Sequence, residues 1–470
     1  SIVGIWRSLF VLTPIFFCLL KVGALNACYM ARRGYKVDVF EKRPDIRTMK
    51  VVSGKSINLT LSCRGIEALK YVGLDEVVTK CCIPMHARMI HDLDGKQSPI
   101  MYGTKDQYIM SIDRRVLNEI MLSASEKFPN VEMHFSHKLT TCNFETGEAT
   151  FDNEQGQKVS KQFDLIIGCD GAYSAVRKQM MKLSRFDYQQ TYIPHGYMEL
   201  KILPNSRNEF AMEKNYLRIW PRHEYMMIAM PNLDKSFTTT LIMPFEMLES
   251  ITTEEQLIQF FKAEFPDAVP LIGQQSLIET FMSRKALPFI TIKCHPYHVN
   301  DKAVILGDAA HAMVPFYGQG INCGMEDCII LDELLDQYNN DFSKALPAYT
   351  NKRNPDAKAI CDLAMYNYIE MRSKVNTTSF LIRKNLDNLL FKIFPKTWVP
   401  LYTMVSFTRI GYQEAIQRRE WQDKILTRCL AVLAISGMVG LGVVMNQLNQ
   451  NYKNWSVSVQ SMVIKYGFVY

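Results

Sequence analysis

The sequence has no block of basic residues. Lys and Arg number 54 against 47 Asp and Glu, a formal net charge of +7, yet no run of five or more Lys or Arg occurs. Because nucleic-acid sites concentrate such residues, we expect the excess to lie on a solvated surface and predict no nucleic-acid partner. Internal repeats and long low-complexity linkers are also absent, which excludes repeat architectures.

Paired C-x-x-C motifs are absent as well. The 12 cysteines lie at irregular spacings, and none forms a C-x-x-C pair followed by a second pair. We therefore expect reduced, mostly buried thiols in an intracellular protein. KCHPYH brings Cys294, His295 and His298 close together, but without a second ligand cluster it favours an edge or turn, and we expect no metal site.

Glycine is scarce where a nucleotide-binding fold needs it. The stretch ALNACYMARRGYKVDVFE, 24 to 41, is typical of a helix followed by a strand that ends in an acid, Glu41. In a G-x-G-x-x-G loop before that helix the last glycine would be Gly23, and the other two positions hold Leu20 and Cys18. The second glycine of such a loop lets a pyrophosphate approach the backbone, so Leu20 predicts a weakened phosphate site.

The strand that should precede this loop also departs from the usual pattern. It would be TPIFF, 13 to 17. The first strand of such a fold is central, and proline cannot donate to a neighbouring strand, so Pro14 argues against a central strand here.

Long apolar runs are few. The stronger is CLAVLAISGMVGLGVVM, 429 to 445, whose 17 uncharged residues approach the roughly 20 that cross a bilayer. Basic residues precede it, which favours a cytosolic location for that side. We predict a tail anchor, with a buried C-terminal helix as the alternative. The run LFVLTPIFFCLL, 9 to 20, has the length of a signal-peptide core, but no clear cleavage site follows it.

Strand–helix units occur in the first, middle and late parts of the chain. The middle unit is FDLIIGCDGAYSAVRKQM, 163 to 180, and the late unit is VILGDAAHAMVPFYGQGINCGMED, 304 to 327. Residues 186 to 290 between them show alternating strand patterns and one helix, near 254 to 264. This order predicts an α/β class: a Rossmann-like domain assembled from separated segments, with a mostly antiparallel sheet inserted and a helical C-terminal part.

Two turns that contain an acid and a glycine carry the chemistry. The late unit has Gly307-Asp308 at a strand end, then Gly318 and Gly320 before a helix. The acid can accept hydrogen bonds from a polyhydroxy chain, the glycines let backbone amides approach a phosphate or ring oxygen, and the helix N-terminus adds partial positive charge. Asp170-Gly171 of the middle unit repeats the pattern. One Asp-Gly turn is common, but two around an inserted sheet are rare by chance.

These residues resemble the flavin-dependent aromatic hydroxylases, single-component FAD monooxygenases that use NADPH and O2. More specifically, the sequence resembles the kynurenine 3-monooxygenase family over roughly 22 to 425. The segments that carry this likeness are KSINLTLS (55 to 62), PMHARMIHDLDGK (84 to 96), YIPHGYMEL (192 to 200), GDAAHAMVPFYGQGIN (307 to 322), MYNYIEMR (365 to 372) and PLYTMVSFTRI (400 to 410).

The resemblance implies a function and a location. The reaction would be hydroxylation of L-kynurenine at ring position 3, in tryptophan catabolism, through a flavin C4a-hydroperoxide. The chemistry is the cofactor's, while the protein positions the ring and excludes water; we therefore predict no catalytic side chain and regard His311 as structural. Animal members of the family are anchored in the mitochondrial outer membrane, which implies this location, with the catalytic part facing the cytosol.

The resemblance also implies site residues. Arg88 and Tyr102 would hold the substrate carboxylate, with Asn367 and Tyr402 as further substrate contacts. A guanidinium suits bidentate carboxylate binding, although without the family Arg88 reads as a surface arginine and the tyrosines as core or rim aromatics. Among the implied FAD contacts, Glu41 would bond the adenosine ribose, Asp308 is the FAD-binding acid, and the backbone of Ile321 and Asn322 would contact the isoalloxazine. The further implied contacts are Val22, Gly23, Phe40, Lys42, Arg43, Thr60, Arg114, Leu139 and Ser174.

The domain boundaries predicted on this basis follow the segments. They are 1–83 (first FAD-binding segment), 84–111 (substrate-site strands), 112–185 (second FAD-binding segment), 186–290 (substrate-domain sheet), 291–345 (third FAD-binding segment), 346–425 (helical region), 426–446 (transmembrane anchor) and 447–470 (tail).

The likeness begins abruptly at Val22, which predicts a changed N-terminus over 1–21, from an alternative exon or an error in the gene model. Two hypotheses follow. Either the chain is an active hydroxylase, weakened in its FAD affinity, or it is a non-catalytic, membrane-anchored variant that cannot retain FAD. Hydroxylation of another aromatic acid is a third reading.

Overall fold

A computed structural model describes residues 14–18, 21–49, 58–104, 106–183, 185–375 and 377–466. Its strands are β1 (Pro14–Cys18), β2 (Val37–Phe40), β3 (Leu59–Leu61), β4 (Ile83–Met85), β5 (Ala87–His91), β6 (Gln97–Met101), β7 (Ile109–Ile112), β8 (Val131–His134), β9 (Lys138–Asn143), β10 (Glu148–Asp152), β11 (Lys158–Gln162), β12 (Leu165–Cys169), β13 (Asp187–Ile202), β14 (Tyr216–Arg222), β15 (Tyr225–Pro231), β16 (Phe237–Pro244), β17 (Leu287–His295), β18 (His298–Val299) and β19 (Ala303–Ile305).

The helices are α1 (Val22–Arg32), α2 (Cys63–Lys70), α3 (Asp75–Lys80), α4 (Arg114–Ser125), α5 (Ala175–Met180), α6 (Phe245–Ser250), α7 (Glu254–Glu264), α8 (Val269–Ile272), α9 (Gln274–Ser283), α10 (Asp308–His311), α11 (Gly320–Gln337), α12 (Phe342–Ile369), α13 (Thr378–Ile393), α14 (Leu401–Phe407) and α15 (Tyr412–Tyr466). A 3₁₀ turn, Pro315–Tyr317, precedes α11, and a π-helical turn, Glu370–Lys374, extends α12.

A six-stranded sheet joins the separated strand–helix units, in the order β18-β19-β12-β1-β2-β8. β1 lies between β12 and β2 and is parallel to both. The expectation that Pro14 disfavours a central strand is therefore wrong. Pro14 is the first residue of β1, where a missing amide is tolerated, and pairing with β2 begins only at Ile15.

The first helix packs closely on the late unit because two glycines leave room for it. A Cβ atom added at Gly324 would lie 2.7 Å from Cγ2 of Val22, and one added at Gly307 would lie 3.2 Å from the same atom. The N-terminus of α1 is thus held against α11 and against the end of β19.

The inserted sheet has seven strands in the order β17-β13-β16-β15-β14-β5-β6. Its neighbours run antiparallel except β14 and β5. The sheet and the helices beside it enclose their own hydrophobic cluster, which includes Trp220, Phe237 and Phe261. The α/β class and the inserted antiparallel sheet predicted from the sequence are confirmed.

The expectation of one helix within 186–290 is wrong, because α6, α8 and α9 accompany α7. The missed helices give little periodic signal. Helix α8 has four residues, and only Leu277 and Phe281 are buried in α9.

The chain forms two compact units, residues 1–413 and 414–470. Nearly all of the second unit belongs to α15, which is long and apolar enough to cross a membrane. The apolar side chains from Leu430 to Met445 are exposed to solvent along this helix. The length and apolar surface of this helix are compatible with a membrane anchor.

Candidate active site

A cavity of about 230 Å³ lies between the loops of the parallel-sheet domain and the inserted sheet. Met226, Ile228 and Ile242 of the sheet give it an apolar wall. An apolar cleft with a few polar groups is the usual form of a small-molecule site. The residues predicted from the sequence that line this cavity are Val22, Thr60, Arg88, Arg114, Asp308, Ile321 and Tyr402.

Arg88 and two tyrosines form one part of the site. The rings of Tyr102 and Tyr402 are stacked, with centroids 5.1 Å apart. The Arg88 guanidinium carbon lies 4.8 Å from the Tyr402 ring centroid and 5.9 Å from that of Tyr102. Arg88 is buried, so the structure does not support its reading as a surface arginine.

The same guanidinium contacts the end of α12. Its Nη2 lies 3.4 Å from Oδ1 of Asn367, and its Nη1 lies 3.5 Å from a carboxylate oxygen of Glu370. Asn367 in turn donates to the Phe316 carbonyl at 2.7 Å. The structure therefore brings together the four residues predicted for the substrate.

Sequence reasoning missed one aromatic and one acidic residue that contact this group. Tyr317 stacks on Tyr402, with centroids 5.5 Å apart, and Glu370 pairs with Arg88. Both stand in segments that carry the family likeness, and Glu370 follows Asn367 by three residues, on the same helix face. That spacing is the signal that could have indicated Glu370.

Unmet hydrogen-bonding groups point to an anionic ligand beside Arg88. Arg88 Nε and the Tyr102 hydroxyl have no hydrogen-bond partner among the described residues. Burial disfavours the guanidinium charge, but Tyr402, Glu370 and Tyr102 together raise the pKa of Arg88 above its ordinary value. Burial raises the pKa of Tyr102 well above its usual range. The site thus offers a permanent cation and a neutral phenol to a carboxylate.

The loop before α11 is fixed by Thr60 and Asn322. Thr60 Oγ1 donates to the Gly318 carbonyl at 3.1 Å, and Asn322 Nδ2 donates to the same carbonyl at 2.7 Å. Gly318 has a φ of +66°, and a Cβ added there would lie 2.2 Å from Thr60 Oγ1. The side chain of Asn322 therefore shapes the loop, while its backbone stands at the start of α11.

Asp308 begins α10 at the end of β19 and lines the cavity. A buried network of charged side chains, centred on Asp327 of α11, holds Gly307, the residue before Asp308. Asp327 accepts from the Gly307 amide at 2.7 Å, from His311 Nε2 at 2.7 Å and from Arg353 Nε at 2.6 Å. Burial favours neutral histidine, but Asp327 raises the pKa of His311 well above its usual value. His311 is thus a paired cation.

Glu41 ends β2 and is buried. Its Oε1 accepts from the Arg43 amide at 3.0 Å, whereas its Oε2 has no partner among the described residues. Burial raises the pKa of its carboxyl to about 7. Phe40 beside it is buried and stacks on Phe151 and His134, while Lys42 and Arg43 are exposed.

The remaining predicted cofactor contacts are placed as follows. Gly23 is buried in α1, and Leu139 is buried in β9. Ser174 caps α5 and donates to Asp170, so its hydroxyl already has a partner. Cys18 ends β1, and Leu20 lies outside the described residues.

The comparisons agree with this geometry. A family model described as an FAD binding domain matches residues 21–364. The kynurenine 3-monooxygenase of Sus scrofa is 53% identical over 411 residues, which cover 87% of each chain. The chain belongs to the kynurenine 3-monooxygenase family. The family members from Anopheles gambiae and Caenorhabditis elegans are 51% and 47% identical, over 90% and 89% of this chain and 87% and 95% of their own lengths.

Solved structures show the same fold at low identity. A 2-methyl-3-hydroxypyridine-5-carboxylic acid oxygenase is 18% identical, with a TM-score of 0.64, over 79% of this chain and 95% of its own. Pseudomonas aeruginosa PqsL, solved with 2-aminobenzoylacetate, is 20% identical, with a TM-score of 0.62, over 77% and 96%. The resemblance inferred from the sequence is confirmed: the chain is a flavin monooxygenase of the kynurenine 3-monooxygenase family, and its cofactor is FAD.

The residues present fit FAD. The buried Oε2 of Glu41 has no donor among the described residues, and a hydroxyl of a ribose can fill that role. Gly320 lines the cavity, and a Cβ added there would meet nothing closer than 4.0 Å, so its backbone is open to a ligand. Both features stand where the sequence predicted the two ends of the cofactor.

Proposed function

We propose that this chain hydroxylates L-kynurenine at ring position 3, using NADPH and O2, and releases 3-hydroxykynurenine. The observation that carries the proposal is the buried Arg88 guanidinium, stacked on Tyr402, in the cavity that Asp308 and Ile321 also line. Such an arginine suits a small aromatic amino acid, whose carboxylate it can bind with two parallel hydrogen bonds. The names of the family members support this substrate.

Each substrate residue has a separate part in the proposal. Arg88 and the Tyr102 hydroxyl donate to the carboxylate, and their free donors are available for this. Asn367 orients the guanidinium, because Asn367 is itself fixed by the Phe316 carbonyl. Tyr402 flanks the bound amino acid and excludes water from the charge pair, which strengthens that pair.

The FAD contacts also belong to the proposal. Glu41 accepts from the adenosine ribose, Asp308 accepts from the ribityl chain, and the backbone at Ile321 and Asn322 contacts the ring system. Val22, Gly23, Phe40, Lys42, Arg43, Thr60, Arg114, Leu139 and Ser174 complete the set that the family likeness implies. Bound FAD, reduced by NADPH, supplies the oxygen chemistry. The apolar wall of Met226 and Ile228 keeps water from the reacting centre.

The proposal is tested with the full chain in detergent, supplied with FAD, NADPH and candidate aromatic acids. We expect NADPH oxidation and O2 uptake to yield 3-hydroxykynurenine, identified by mass spectrometry, only with L-kynurenine. Coupled product from a different aromatic acid would replace kynurenine as the substrate. NADPH oxidation that gives only hydrogen peroxide with every acid would contradict the hydroxylase function.

Arg88→Lys separates substrate binding from cofactor binding. A lysine cannot make the bidentate pair, so we expect kcat/KM for kynurenine to fall by a factor of about 30 to 1000, equivalent to about 2–4 kcal/mol, with unchanged flavin content. Arg207→Lys is the matched control, since Arg207 is exposed and bonds only through its backbone amide. Equal kcat/KM in both variants would remove Arg88 from the substrate site.

We propose the mitochondrial outer membrane as the location, with the catalytic part in the cytosol. The apolar helix near the C-terminus and the basic residues before it support this orientation. Protease added to intact mitochondria should digest the catalytic part. Full protection of the catalytic part until the outer membrane is opened would contradict the orientation.

A further inference from the structure

Helix α13 carries an apolar stripe that is largely exposed, with Leu386, at 36%, its least exposed member. Ile382, Leu386, Leu389 and Ile393 follow one another at spacings of four, three and four residues, which places them on one face of the helix. Ile382 is 63% exposed, Leu389 is 54% exposed and Ile393 is 57% exposed. Phe394, which follows the helix, is 54% exposed and extends the stripe.

The rest of the helix shows that this stripe faces outward. Asp387 is the one buried residue among the 16 of α13, all of which are described. Asp387 accepts from Trp398 Nε1 at 2.9 Å, and Lys384 Nζ donates to the Met101 carbonyl at 2.7 Å. These polar contacts fasten the opposite side of α13 to the catalytic unit and leave the stripe free.

The charges around the stripe are basic. Between 378 and 396 the only acid is the buried Asp387, which already pairs with Arg383 at 2.9 Å. Lys392 and Lys396 are exposed at the C-terminal end of the stripe. Apolar residues flanked by exposed lysines match an anionic lipid surface, which takes the side chains among its acyl chains and the ammonium groups among its headgroups.

The length of the helix decides how it meets a bilayer. At 1.5 Å per residue, its 16 residues extend about 24 Å, and Pro395 follows, so α13 is short of the roughly 20 residues that cross a membrane. A helix of this kind lies in the interface. The same chain carries a helix long and apolar enough to cross a membrane, so a lipid surface is available to the chain.

We propose that α13 is an interfacial helix that lies on the bilayer through Ile382, Leu386, Leu389, Ile393 and Phe394. It is a second, peripheral membrane contact of the catalytic unit, separate from the anchor helix. It sets the face that the catalytic unit turns toward the lipid. This contact does not depend on the identity of the substrate.

The test uses the full chain in vesicles of phosphatidylcholine and phosphatidylserine that contain a lipid with a photoreactive diazirine near the headgroup. After irradiation, lipid adducts are mapped to peptides by mass spectrometry. We expect adducts on 378–394 as well as on the anchor helix. In a variant with Ile382→Glu, Leu389→Glu and Ile393→Glu, the adducts on 378–394 should fall several-fold while those on the anchor helix remain.

Two controls keep the result interpretable. The three positions are exposed, so their replacement should leave the flavin spectrum and the melting temperature unchanged. Leu233→Glu, at a comparably exposed leucine outside α13, should leave all adducts unchanged. Adducts confined to the anchor helix in the wild-type chain would overturn the proposal. Cross-links between two copies at 378–394, formed by a bifunctional lysine cross-linker in the same vesicles and without lipid adducts there, would assign the stripe to a second copy and would also overturn it.

Discussion

At the scale of single residues, Glu41, the proposed ribose contact, would make FAD binding sensitive to pH. The pKa of its buried carboxyl is about 7 in the folded chain, above its ordinary value of 4.5. The folded chain without FAD therefore binds the extra proton between these values. The contribution of Glu41 to stability is complete below about pH 4.5 and is lost as the pH rises through 7.

Binding of FAD should depend on pH in the opposite direction to the stability of the chain without FAD. Ribose hydroxyls donate to a carboxylate, so they favour the ionised form and lower its pKa. We expect the dissociation constant of FAD from the apoprotein to fall as the pH rises from about 5 to about 8. Glu41→Gln should abolish this dependence, whereas Glu145→Gln, in an exposed turn, should preserve it. Flavin fluorescence titrations measure the constant; the same pH dependence in Glu41→Gln would exclude Glu41 from the ribose contact.

Gly318 is required by both its conformation and its surroundings. With a φ of +66° and 2.2 Å between an added Cβ and Thr60 Oγ1, Gly318→Ala strains the backbone and must displace either the Thr60 side chain, which bonds the Gly318 carbonyl, or the loop itself. We expect the purified variant to lose most of its flavin. Gly156 has a similar φ, +72°, but open space around it, so Gly156→Ala should cost roughly 1–2 kcal/mol of stability and keep FAD.

The two glycine variants are compared by their flavin content, measured as flavin absorbance relative to protein absorbance, and by their melting temperatures. Equal flavin content in both would show that the approach of Gly318 to Thr60 does not control the cofactor site.

Sequence reasoning reached part of this residue-level picture. Arg88, Tyr102, Asn367 and Tyr402 were predicted from family segments, and the structure brings them together. Tyr317 was missed although its segment was recognised, because its contact with Tyr402 joins residues far apart in the chain. Local sequence does not show which aromatic rings stack on each other, because the packing of whole helices and loops decides these contacts.

At the scale of elements, helix α11 is fastened to the late strand by Asp327. Burial raises the cost of its charge, but His311 and Arg353 keep the pKa of Asp327 below its ordinary value. Asp327→Asn leaves the buried His311 without its carboxylate and removes one of the two buried carboxylates of Arg353, which keeps Glu326 at 3.1 Å, so we expect a loss of about 3–5 kcal/mol.

The matched control is Asp336→Asn on the same helix. Asp336 pairs with Arg33 at 2.8 Å, but its side chain is 74% exposed, and such pairs contribute about 0–1 kcal/mol. Thermal unfolding followed by tryptophan fluorescence should show a much larger decrease in melting temperature for Asp327→Asn. Similar decreases in both variants would show that the buried network contributes no more than a surface pair.

Element prediction succeeded where the periodic signal was strong. The helix predicted near 254 to 264 is α7 (Glu254–Glu264), which begins with a capping box at Thr253 and Gln256. Helix α8 and helix α9 were missed because short helices with few buried residues leave little pattern. Strand β1 was misjudged at Pro14 because the penalty for proline depends on its position within a strand, which a sequence does not show.

At the scale of the whole molecule, the catalytic unit and most of the apolar helix α15 belong to different compact units. The residues that line the cavity all belong to the unit formed by 1–413. We expect deletion of 429–470 to release the chain from membranes under alkaline extraction while its flavin content is retained. Persistence of the truncated chain in the alkaline pellet would show that residues before 429 insert into the bilayer.

The central claim is that this chain holds FAD in spite of Leu20 and Cys18. The visible absorption spectrum of the full chain, purified from a detergent extract, tests it most directly. We predict a flavin band near one FAD per chain, and bleaching of that band by NADPH when L-kynurenine is added. A folded but colourless protein that added FAD does not restore would contradict the account and favour a non-catalytic variant.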